Sequence, residues 1–141
     1  MDEKLNYTEN LKKVLFLAEK LAETYGSSYI ASEHFLFAML IQPECKAYKI
    51  LSDQGISAEK YEDYFVRTID SRSNIKGYTP RTKNIVRSAE DMSKRTGTDH
   101  LLHEIVKCDS CIAVRILRCM GTDFHKLAIG IAYSLNSEAE Q

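Results

Sequence analysis

The sequence predicts an all-α fold: two tandem four-helix repeats packed as a pseudo-twofold, eight-helix domain. Three observations predict it. The chain repeats itself, its apolar residues recur at helical spacing, and no stretch alternates convincingly with period two. Two prolines and six glycines in 141 residues leave room for long helices.

The repeat runs at two offsets. At 71 residues, Tyr7-Thr8 meets Tyr78-Thr79, Lys12 meets Lys83, Ala18-Glu19 meets Ala89-Glu90 and Gly26 meets Gly97, so 6 of 20 positions agree. The register then slips to 66. There His34 meets His100, Cys45 meets Cys111, Ile50-Leu51 meets Ile116-Leu117 and Gly55 meets Gly121, with 8 of 30 in agreement. Chance would give roughly three matches over both windows at ordinary residue usage.

The elements follow in order. Thr8 caps a first helix whose stripe is Leu11, Val14, Leu15, Ala18, Leu21 and Ala22, with Gly26 as its stop. Ser32 caps a second helix running to about Ile41, with Glu33 in its first turn. Pro43 opens a third, which carries Ala47, Ile50 and Leu51 and stops at Gly55. Ser57 caps a fourth, with Tyr61, Phe65 and Ile69 spaced by four. Repeat one thus spans about 5–70, a linker covers 71–77, and repeat two spans about 78–135 of a single domain. In repeat two, Thr79-Pro80 pairs a cap with proline at the first helical position, and Gly97 ends that helix. Thr98 caps the next helix, and Asp109 or Ser110 caps the one after, which stops at Gly121. Asp123 caps the last, with Phe124, Leu127, Ala128, Ile131, Ala132 and Leu135 on one face.

Composition narrows the function classes. Nineteen basic and twenty acidic residues give a net charge of −1, which disfavours a dedicated nucleic-acid binder or polybasic membrane anchor. The longest apolar run, Phe35 to Ile41, is far short of the roughly 20 residues that span a bilayer. The charged start, Met1-Asp2-Glu3-Lys4, does not resemble a signal peptide, so a cytoplasmic location and reduced cysteines at 45, 108, 111 and 119 are expected. There is no G-x-x-x-x-G-K-[ST], G-x-G-x-x-G or G-x-S-x-G. The chain is therefore expected to carry no catalysis and no cofactor of its own.

The stretches Tyr7-Thr8-Glu9, Tyr29-Ile30-Ala31-Ser32-Glu33-His34 and Tyr78-Thr79-Pro80-Arg81-Thr82-Lys83, in duplicate and in this order, resemble the Clp N-terminal domain. That is the double repeat at the front of ClpA- and ClpC-type AAA+ unfoldases, and the Tyr-Thr-Pro-Arg opening is nearest the ClpC branch. The resemblance implies a non-catalytic domain that receives substrate and adaptor proteins for an AAA+ ring and a ClpP-type peptidase. ATP and Mg are implied only for an attached motor. In some ClpC-type members the domain also binds phosphorylated arginine, a degradation mark, once per repeat. The matching positions are Thr8, Ser32 and Glu33 in repeat one, and Thr79 and Asp99 in repeat two. A helix N-terminus suits the phosphate, and a carboxylate clamps the guanidinium with charge-assisted hydrogen bonds. Repeat two departs from the pattern. It lacks the counterpart of Ser27-Ser28-Tyr29-Ile30-Ala31, its acid Asp99 is one methylene shorter, and His103-Glu104 replaces Phe37-Ala38. The repeat-one site is therefore expected to bind better.

Blander roles stand beside these. Thr8 and Thr79 serve as caps in any case, and Glu33 and Asp99 answer the helix dipole. His34 and His100 are expected to bond neighbouring backbone groups. His100, His103, Cys108 and Cys111 read H-x-x-H-x4-C-x-x-C, four residues that zinc accepts, although not at the spacing of a common module. The 76–95 segment carries a local charge of +4, suited to a solvated face, an acidic adaptor or a nucleic acid. A free-standing adaptor without a motor and a small helical nucleic-acid-binding regulator are the alternative functions.

Overall fold

The computed structural model describes residues 6–68 and 77–141. Eight helices follow one another: α1 (Glu9–Thr24), α2 (Ser32–Leu40), α3 (Lys46–Asp53), α4 (Ala58–Thr68), α5 (Pro80–Glu90), α6 (Thr98–Lys107), α7 (Ile112–Cys119) and α8 (Phe124–Leu135). Among the described residues there is no strand, only isolated bridges between Tyr7 and Thr96 and between Ile30 and Tyr78. No described helix is long and apolar enough to cross a membrane. Ile69 and the expected linker, apart from Gly77, lie outside the described residues.

Several helix starts are where the sequence puts them. Thr8 accepts from Leu11 N, Thr79 from Thr82 N and Asp123 from Lys126 N, each at 3.1 Å. Ser57 does the same for Lys60 N at 3.3 Å. Others shift. Ser32 and Thr98 are the first helical residues rather than caps, and Ala31 and Gly97 hold the cap positions. Pro43 does not open α3, because a turn carries the chain on to Cys45, whose sulfur accepts from Tyr48 N at 3.3 Å. Cys111, not Asp109 or Ser110, precedes α7.

Gly97 is a correction of substance. Gly26 ends α1's final turn at φ 71°, as expected, but α5 already stops at Glu90. Gly97 sits at φ −111° and begins α6. Its structural mate is Ala31, because His34 Nδ1 accepts from Ala31 N at 3.0 Å and His100 Nδ1 accepts from Gly97 N at 2.8 Å. The 66-residue register therefore starts before the helix, and both histidines have the backbone role expected of them.

All nine residues of α2 are buried, which suits a helix apolar on every side. Phe37 of α2 packs in an aromatic cluster with Tyr25, Tyr61 and Phe65, through edge-on and tilted contacts, with Phe65 5.0 Å from both Tyr25 and Phe37. The main helix contacts follow the pseudo-twofold. α1 lies on α2 as α5 lies on α6, α2 meets α7 as α6 meets α3, and α4 covers α7 as α8 covers α3. The third helix of each half is thus capped by the fourth helix of the other. In α8 Leu127 and Ile131 are buried, but Ala128 and Ala132, expected on the same face, are exposed.

Candidate functional site

The two bridges decide which residues meet. Thr8 N donates to Thr96 O at 2.9 Å and Thr96 N to Asn6 O at 3.0 Å, so the start of α1 is held against the start of α6. Ile30 N donates to Gly77 O at 2.9 Å, so the start of α5 is held against the start of α2. The candidate residues are therefore exchanged between the halves. Thr79 joins Ser32 and Glu33, while Thr8 joins Thr98 and Asp99. The within-repeat grouping read from the sequence is corrected: each cradle takes its threonine from the other half.

The Glu33 cradle borders a cavity of about 560 Å³, whose walls include Ser32, Glu33, Thr79, Arg81 and Ile112. The N-termini of α2 and α7 meet here, and Ser32 Oγ accepts from Ala113 N at 3.3 Å. Glu33 is 6% exposed. Its carboxylate receives a long 3.5 Å hydrogen bond from Ser32 Oγ, and no cation pairs with it among the described residues. Burial pushes its pKa above the ordinary value, with its own backbone N–H and the Ser32 hydroxyl opposing in part. Arg81 sits at the rim, donating to Ser110 O at 2.8 Å. Tyr61 donates to Glu33 O at 2.8 Å, fixing the first turn of α2 on α4.

The Asp99 cradle has the same frame with different contents. Thr98 Oγ1 accepts from Ala47 N at 3.1 Å, the counterpart of the Ser32–Ala113 bond. Asp99 accepts from Ser134 Oγ at 3.1 Å and pairs with Lys46 Nζ at 3.5 Å. The carboxylate of Glu140, from the segment after α8, is seated beside it. That carboxylate accepts from Thr8 Oγ1 at 2.8 Å, Lys46 N at 2.7 Å, Thr98 N at 2.7 Å and Thr98 Oγ1 at 2.6 Å.

Sequence reasoning missed Lys46, Ser134, Glu140 and the backbone at Ile112 as parts of these cradles. Thr98 alone carried a signal, as the repeat mate of Ser32. His100, His103, Cys108 and Cys111 do not gather. His100 bonds Gly97, His103 bonds Glu104 at 3.0 Å, and Cys111 is buried with its thiol pKa pushed up. Among the described residues no group of three or more His, Cys, Asp or Glu side chains is placed to hold a metal ion.

A profile of the Clp repeat (R) N-terminal domain matches residues 6–98. The chain belongs to this family. Among curated relatives of this Clp N-domain, ClpC/MecB of Bacillus subtilis, a negative regulator of genetic competence, is 29% identical over 128 residues, covering 85% of this chain and 16% of that protein. The chaperone ClpB of Oceanobacillus iheyensis is 27% identical over 143 residues, covering 96% of this chain and 18% of its own length. The Clp N-domain described here thus spans under a fifth of these relatives. Its fold matches the N-terminal domain of ClpD from Arabidopsis thaliana at a TM-score of 0.78, with 16% identity over 93% of this chain and 98% of that one. It also matches the ClpV N-domain in complex with a VipB peptide, at a TM-score of 0.74 and 13% identity, covering 99% and 92% of the two chains.

Proposed function

We propose that this Clp N-domain binds substrate and adaptor proteins for an AAA+ unfoldase ring, with the Glu33 cradle taking a zwitterionic side chain of the phosphoarginine class. A ring working with a ClpP-type peptidase would receive such substrates for degradation. Glu33 carries the proposal. A buried carboxylate without a cationic partner is costly, and a guanidinium would offset that cost by two charge-assisted hydrogen bonds. The phosphoryl group then falls to Thr79 and to the first backbone N–H groups of α2 and α7, where the helix dipoles favour an anion. Arg81 adds positive charge at the rim. The peptide-bound ClpV neighbour, of the same fold, supports a peptide-receiving role.

Calorimetry with free phosphoarginine tests this. Loss of a charged hydrogen bond costs about 1.5–3 kcal/mol, so Glu33→Ala lowers affinity about tenfold to a hundredfold, and Asp99→Ala changes it little. The exchanged threonines sharpen the test. Thr79→Val and Glu33→Ala, sharing one ligand, combine non-additively, whereas Thr8→Val and Glu33→Ala combine additively. A larger loss from Asp99→Ala, or coupling of Glu33 to Thr8, refutes the assignment.

A further inference from the structure

We propose that the Asp99 cradle is a carboxylate-binding site which the chain fills with its own segment after α8, so that an external oxyanion enters only by displacing Glu140. This extends the zwitterion reading of the Glu33 cradle to its counterpart across the pseudo-twofold and rests on it.

The fit is that of a bound ligand. Glu140 is 8% exposed although its neighbours Ser137, Glu138, Ala139 and Gln141 are all exposed. Its carboxylate takes four hydrogen bonds of 2.6–2.8 Å, two from hydroxyls and two from the first N–H groups of α3 and α6. An anion is expected where two helix N-termini converge. Lys46 completes the arrangement. Its ammonium pairs with Asp99 at 3.5 Å and donates to Ser134 O at 2.9 Å, Ser137 Oγ at 3.2 Å and Glu138 O at 2.6 Å, strapping the segment down. Lys46 and Glu140 together thus supply the cation and the anion that one zwitterionic ligand would bring.

Comparison with the other cradle shows why only one is filled this way. Under the 66-residue register, Lys46 corresponds to Ile112, which offers the backbone N–H but no ammonium. Gly97 corresponds to Ala31. A Cβ at Gly97 would lie 3.0 Å from Glu140 Oε1 and from Asp99 Oδ1, closer than comfortable contact. The glycine thus makes room for the seated carboxylate, and its mate carries a methyl group there.

A tethered group acts at an effective concentration of order millimolar. A competitor's apparent affinity for this cradle is therefore reduced by the fraction of time the strap is open. Glu140 makes the Asp99 cradle a regulated second site, available when the segment is drawn away.

Backbone amide NMR on the full 141-residue chain tests this, with phosphoarginine as the probe. In Glu140→Gln, which keeps the shape and removes the charge, the Lys46 and Thr98 amide resonances move. Gly97→Ala, acting from the opposite wall, moves the same two amides. In wild type phosphoarginine shifts Ser32 and Ile112 alone. In Glu140→Ala it also shifts Lys46 and Thr98, and the stoichiometry rises from one to two. If Lys46 and Thr98 do not respond to Glu140→Gln, the strap is wrong. Equal binding at both cradles in wild type overturns it as well. If phosphoarginine shifts no amide in any variant, the zwitterion reading of both cradles falls, and the response of Lys46 and Thr98 to Glu140→Gln still decides the strap.

Discussion

Glu33 and His34 are adjacent, both buried, and titrate in opposite senses. Burial raises the Glu33 pKa above its usual 4.5, so the folded protein favours the protonated form more than the unfolded chain does. Its stabilising contribution is present below the unfolded value and is lost as pH rises through the folded one. Glu33→Gln is therefore expected to raise the melting temperature at pH 7, with the gain vanishing below pH 4.5; thermal melts across that range check it. A stabilising change that removes binding is what a site built for a ligand predicts. His34 is 1% exposed, and burial lowers its pKa from 6.5 to about 4. Its contribution is complete above pH 6.5 and is lost as pH falls towards 4, on the order of 3 kcal/mol. An imidazole titrating near 6.5 in the folded protein would refute this, and NMR of the His34 ring gives the answer directly.

At the scale of the element, the helix ends divide by mechanism. Local chemistry sets the starts at Thr8, Thr79 and Asp123, where a hydroxyl or carboxylate reaches back to its own first turn. The starts of α2 and α6 are set at a distance: Ser32 and Thr98 turn their oxygens to the N-termini of α7 and α3, leaving His34 and His100 to bond the cap. Stops are simpler. Gly55 and Gly121, repeat mates, sit at φ 78° and 80° with nothing within 4 Å of an added Cβ. Gly55→Ala is expected to lower stability by about 1–2 kcal/mol through backbone strain alone. Gly97→Ala, at negative φ, carries no such strain, and its effect comes through Glu140 and Asp99. Denaturant midpoints measured alongside Gly55→Ser, which shares the strain, check the first claim.

At the scale of the molecule, the halves are interlocked rather than stacked. α4 packs on α7 and α8 on α3, and each cradle borrows its threonine across the pseudo-twofold. A polypeptide of residues 1–70 would expose the faces of α2, α3 and α4 that the second half covers. It is expected to show no cooperative thermal transition alone and to regain one when mixed with residues 71–141, as followed by near-ultraviolet circular dichroism. Cooperative unfolding of the isolated half would show that the crossing contacts matter less than the packing implies.

The sequence by itself determined the helical class, the duplication, the helix starts at Thr8, Ser57, Thr79 and Asp123, and the acid and hydroxyl residues of the Glu33 cradle. Each of these is written in local spacing: stripes at three and four, oxygens before a first turn, identities at two fixed offsets. Partnership across the twofold has no local signature. A repeat read linearly puts Thr8 with Glu33, because nothing in either half's spacing says that the chain reaches across. The two backbone bridges decide otherwise. The same holds for Gly97, a helix stop by its first offset and a helix start in the fold. It holds most for Glu140, one acid in the polar segment after α8, which became a ligand only when folding carried it to the N-termini of α3 and α6.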